Sequence, residues 1–89
     1  MLQRSPSNVA FGRALRAIRE ERSAGVDDTA RAAGIAVDDL RRLEEGHYAV
    51  RLDTIFRLAH GLGVQAAELV GRAERYLPGG PHGDTTHSV

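Results

Sequence analysis

The chain contains no cysteine, no lysine and no tryptophan, and its aromatic residues are two phenylalanines and two tyrosines. Without cysteine there is neither a disulfide framework nor a thiolate to bind a metal or attack a substrate. This suits a reducing compartment, and we expect a cytoplasmic protein. No apolar run approaches the ~20 residues that a membrane helix needs, so no signal peptide, membrane span or membrane partner is expected. A surplus of charge is also missing, because twelve basic and twelve acidic residues cancel. The general attraction to phosphate that many nucleic-acid-binding proteins carry is therefore not available from net charge.

What is present is a compact-fold composition: 42% hydrophobic and 27% charged residues with three prolines in 89 residues. A chain of this size buries only about 60–65% of its unfolded surface, which implies one domain with a small core. Every base is an arginine, the side chain suited to forked contacts with phosphate and guanine. Residues 9–22 hold four arginines against Glu20 and Glu21, whereas residues 25–46 hold six acids against Arg31, Arg41 and Arg42.

Hydrophobic periodicity predicts five helices and no strand, so the fold class is all-α. Residues 1–7 read as a polar arm, with Ser7 or Asn8 capping a first helix over residues 9–22 that buries Phe11, Leu15 and Ile18. In the second, Val26, Ala30 and Ala33 share a face, and Gly34 closes it in the left-handed conformation. Ile35 then turns inward, Leu40 and Leu43 form the buried side of the third helix, and Gly46 ends it. The fourth places Ile55, Leu58, Ala59 and Leu62 on one face and stops at Gly63. A fifth follows Val64 and carries Leu69, Val70, Ala73, Tyr76 and Leu77 until Pro78 and Gly79 break it. The expected organisation is an arm over 1–7, a domain over 8–77 and a disordered tail over 78–89.

With these elements in order, residues 11–70 resemble the phage-repressor-like helix-turn-helix family, the Cro and Xre type of bacterial transcription regulators. The resemblance rests on "LRAIREER", "ARAAGI", "LRRLEEG" and "LDTIFRLAHGLGV". It implies five packed helices, with the third entering the DNA major groove and the second lying across its entrance. It also implies a dimer that reads two half-sites about one helical turn apart. On this reading the DNA-facing positions are Val37, Asp38, Arg41, Arg42, His47, Tyr48 and Arg51. Departures stand out: Gly25 and Val26 replace the Ser and Gln that commonly open the second helix. Thr29 replaces a core leucine, and Ala36, Val37, Asp38 and Asp39 open the third helix where polar DNA-facing groups are usual.

Placing Leu40 and Leu43 inward makes Asp38, Arg41, Arg42 and Glu45 the outermost positions of the third helix. Two readings of them are open. Arg41 and Arg42 contact guanine or phosphate while Asp38 accepts from a cytosine amino group. Alternatively, Asp38 pairs with Arg42 and Arg41 with Glu45, each worth ~0.2–0.5 kcal/mol, and the face is self-neutralised. Arg19 and Glu44 resemble a structural ion pair of the family, tying the first helix to the third. Arg13 and Arg16 read equally as backbone-phosphate contacts or as a solvated face.

No enzyme is expected, since no phosphate-cradling glycine loop, nucleophile–histidine pair or carboxylate dyad is present, and no cofactor is called for. His82 and His87, with Asp84 between them, are too weak a pattern to assign a metal site. The apolar residues of the fifth helix exceed what four short helices cover. Phe56, Leu69, Ala73, Tyr76 and Leu77 are the expected homodimer surface, unless Tyr76 and Leu77 fold back onto the first helix. Two functions follow. One is a dimeric, sequence-specific regulator of double-stranded DNA, most simply a repressor. The other is a repressor-like fold that has lost DNA reading and binds a protein partner, as an antiactivator or accessory subunit.

Overall fold

The first helix starts at Pro6 rather than Val9, because Ser5 supplies the cap. Ser5 is extended at φ −68° and ψ 159°, and its hydroxyl oxygen accepts from the Asn8 backbone N–H at 3.1 Å. Proline at the first helical position costs nothing, since its missing N–H would have had no partner there. This corrects the expectation that Ser7 or Asn8 caps the helix and that the arm runs to residue 7.

The computed structural model describes residues 4–79. Among the described residues the elements are five helices: α1 (Pro6–Glu21), α2 (Val26–Ala33), α3 (Val37–Glu44), α4 (Leu52–Leu62) and α5 (Ala66–Arg75). The all-α, five-helix expectation holds. The histidine pair His82 and His87, and the tail from residue 80 onward, lie outside the described residues. None of the described helices is long and apolar enough to cross a membrane.

Helix α1 packs against α5 and α3, α2 against α4 and α3, and α4 against α5. Leu15, Ile18, Leu40, Leu58 and Leu69 are at most 1% exposed and form the centre of this arrangement. Leu69 therefore belongs to the core and is withdrawn from the expected dimer surface. One position further round α5, about 100° away, Val70 is exposed and not part of the core. Thr29 is also buried, and its hydroxyl has no hydrogen-bond partner among the described residues.

The α1–α3 contact is backbone on backbone. Gly12 is buried, and a Cβ built on it would meet the carbonyl oxygens of Leu43 and Glu44, the latter at 2.6 Å. Only the absence of a side chain lets α3 lie this close to α1.

Candidate nucleic-acid interface

The turn between α2 and α3 is built by one glycine. Gly34 adopts φ 73° and ψ 33°, the left-handed conformation in which a side chain is penalised. The N–H of Gly34 then reaches the Arg31 carbonyl at 3.1 Å and that of Ile35 reaches the Ala30 carbonyl at 3.0 Å. This double closure satisfies the open end of α2. It also turns Ile35 inward against the core and aims the chain into α3.

Helix α3 buries Leu40 and Leu43 and exposes Asp38, Asp39, Arg41 and Arg42. The acids occupy its first turn and the arginines its last, the order a helix dipole favours. The self-neutralising pairs expected from i, i+4 spacing are not the ones that form. Arg42 turns back one residue less far and meets Asp39 at 3.6 Å. Glu45 stands at the C-cap and directs its carboxylate to His47, with Nε2 3.7 Å away. Arg41 consequently has no carboxylate within ion-pair distance among the described residues, and neither does Asp38 a base.

Beyond α3, Gly46 at φ 80° repeats the closure, and the His47 N–H reaches the Arg42 carbonyl at 3.1 Å. The loop is thereby fixed to the end of α3. Tyr48 is exposed, and Arg51 is almost wholly in solvent, 3.3 Å from Asp53. Tyr48, Arg51 and Thr54 rim a shallow pocket of about 310 Å³ floored by Ile35, Leu43 and Val50. His47 is half-buried with its Nδ1 enclosed and without a hydrogen-bond partner among the described residues. Of the seven positions expected to face DNA, six lie on the exposed side of α3 or in the loop that follows it. Val37 differs: it is half-buried and packs against the core.

A buried ion pair holds this surface to the body of the molecule. Arg19 Nε and Nη2 donate to the two carboxylate oxygens of Glu44 at 2.6 and 3.0 Å, and Nη1 donates to the Ala24 carbonyl at 3.0 Å. The side chains are only 11% and 8% exposed. The bond to Glu44 raises the Arg19 pKa above its ordinary value, against the opposing effect of burial. The expected tie between the first and third helices is thus present as a forked pair.

A family model for helix-turn-helix domains matches residues 10–70, which include α2, the Gly34 turn and α3. The chain belongs to the helix-turn-helix domain family. Its solved structural relatives place it with the Cro and Xre type of regulators. The clp gene regulator ClgR of Corynebacterium glutamicum is 25% identical, with 81% of this chain and 94% of that one covered at a TM-score of 0.77. The restriction-modification controller protein C.AhdI of Aeromonas hydrophila is 29% identical over 70% of this chain and 94% of that one, at a TM-score of 0.68. A transcriptional regulator of Vibrio cholerae, 21% identical with 73% of this chain and 38% of that one covered, shares the fold at a TM-score of 0.68. No curated protein matches the sequence. By class, this helix-turn-helix chain is a DNA-binding regulator.

Gly12 and Arg4 carry no local sequence signal of their roles. Gly12 lies within an ordinary amphipathic stretch, and nothing local signals that α3 will press on it. Arg4 falls in the expected arm, yet its Nε donates to the Glu45 carbonyl at 3.0 Å and reaches the end of α3.

Proposed function

We propose that this protein is a cytoplasmic, sequence-specific binder of double-stranded DNA that acts as a homodimer and, most simply, as a repressor. The observation that carries the reading is Arg41. It projects from the solvent face of α3, opposite buried Leu40 and Leu43, with no carboxylate engaging it among the described residues. A guanidinium presented this way suits the N7 and O6 acceptors of guanine in the major groove. Arg42 and Arg51 are held by exposed pairs with Asp39 and Asp53, which are worth ~0–1 kcal/mol and yield readily to phosphate. His47 and Tyr48 complete the strip, and Asp38 is placed to accept from a cytosine amino group. Val37 adds its exposed edge beside a base or sugar.

The dimer surface in this proposal consists of Phe56, Val70, Tyr76 and Leu77, with Ala73 at its inner margin. The controller proteins and gene regulators whose fold it shares supply the analogy for regulation, not for this chain's target.

A second reading has its own observation. The α2–α3 surface exposes Asp27, Asp28, Asp38, Asp39 and Glu45 against Arg31, Arg41 and Arg42, an acidic balance that repels phosphate and suits a basic protein partner. One titration separates the two. The purified protein is measured against its own upstream DNA and against random duplex at two salt concentrations. Selective binding, at least about 10³-fold tighter than to random duplex and falling steeply with salt, is expected. Equal and feeble binding to both would favour the protein-partner reading.

A further inference from the structure

The pairing of the arginines leaves a second basic surface between α1 and the end of α3. A notch of about 350 Å³ opens between the N-terminal half of α1 and the C-terminal end of α3, lined by Arg4, Arg13, Arg16, Glu45 and His47 over Val9. Arg4 is anchored there by its bond to the Glu45 carbonyl. Arg13 is exposed and has no carboxylate within ion-pair distance among the described residues. Arg16 meets Glu20 at 3.2 Å, but both side chains are more than half exposed, so solvent screens the pair. Glu44 on the inner wall is already engaged by both bonds from Arg19. Within the notch, three guanidiniums therefore face one carboxylate that no arginine engages, that of Glu45, whose contact is with His47 at 3.7 Å.

The notch moves with α3. A Cβ on Gly46 would lie 3.0 Å from the Val9 Cα, and Gly12 abuts the last carbonyls of α3, so both walls share one rigid backbone contact. Helix α3 has eight residues, about 12 Å of rise, comparable to the ~12 Å width of the major groove. A helix of this length, seated across the groove, would bring its C-terminal end to one wall of phosphates.

We propose that this notch is a phosphate seat, holding a backbone phosphate of the same duplex whose bases α3 reads. The inference rests on the DNA-binding function proposed above and adds a source of affinity for a recognition surface that is itself acidic. Forked arginine donors bind phosphate oxygens and carry no sequence information, so the seat positions the protein and does not select the site.

The test is the salt dependence of binding to an operator duplex and a random duplex for the full chain. Each phosphate neutralised contributes about 0.9 to the slope of log affinity against log salt. Arg13→Gln and Arg16→Gln are each expected to lower the slope by about that amount on both duplexes while the operator-to-random ratio stays unchanged. Arg22→Gln, at the opposite end of α1, is expected to leave the slope alone. Unchanged slopes in the first two variants, or an equal fall in the third, would overturn the seat while leaving the DNA reading intact. Absence of duplex binding by the unmodified protein would overturn both.

Discussion

Arg41 and Arg42 are sequence neighbours in opposite circumstances. Arg42 has an acid three residues behind it and uses it; Arg41 has Glu45 four residues ahead, but the C-cap turns that carboxylate toward His47. A base contact by Arg41 costs no broken pair, so Arg41→Ala is expected to reduce discrimination between operator and random duplex by ~1–3 kcal/mol, about 5- to 150-fold. Arg42→Ala is expected to weaken binding to both duplexes alike. Competition binding with the two duplexes checks both. Thr29 tests stability instead of function. Its buried hydroxyl lacks a partner among the described residues, and such a group costs ~1–3 kcal/mol. Thr29→Val keeps the shape and removes the hydroxyl. The variant is expected to gain roughly 1 kcal/mol in urea denaturation, with duplex binding unchanged.

Helix α1 organises the molecule because it touches both the recognition unit and the last helix. At Gly12 it meets α3 with no room for a methyl group. Gly12→Ala is expected to destabilise the fold by ~1–3 kcal/mol through overpacking and to weaken DNA binding beyond the unfolded fraction, since α3 must move. Urea denaturation followed by duplex titration separates the two effects. At its other end, Glu21 accepts from Arg72 of α5 at 2.7 and 3.0 Å, and this bond holds the Glu21 carboxyl below its ordinary pKa. A lowered folded pKa means that the tie contributes fully above the ordinary carboxylate value and is lost as pH falls through the depressed one. Glu21→Gln is expected to melt slightly below the parent protein at neutral pH, with the gap closing in acid; thermal melts across the carboxylate range read this directly. How much of this was legible follows from the kind of signal involved. Periodicity and glycines locate the helices and the Gly34 turn because those signals are local. The start of α1 is not legible because Pro6 reads as a breaker unless Ser5 caps the helix. The Gly12 contact, the burial of Leu69 and the choice of Asp39 over Asp38 by Arg42 depend on how distant or adjacent turns settle in three dimensions, which spacing alone does not specify.

The charges balance overall and the α2–α3 surface is acidic, so net charge gives a single copy little general attraction to DNA, and the proposed selectivity would lean on joining two copies. The exposed apolar residues supply a means. Phe56 on α4 is 56% exposed, and Val70 and Tyr76 on and beyond α5 are 42% and 39% exposed, while Leu77 beside them is half-buried. Phe56 lies on α4 and the others on or just beyond α5, two helices that pack on one another. A two-fold contact there repeats each apolar group against its copy. Linking two half-site readers makes the second binding event intramolecular, at an effective concentration of order millimolar. In the proposed dimer, Phe56→Glu would bring two carboxylates into the shared surface without removing a core side chain. It is expected to convert a dimer into a monomer in sedimentation velocity at micromolar concentration, with the helical signal and melting cooperativity retained. Operator affinity is expected to fall at least about 10²-fold, while binding of an isolated half-site duplex stays near that of one parental subunit. A Phe56→Glu protein that still sediments as a dimer and binds the operator as before would place the assembly surface elsewhere on the fold.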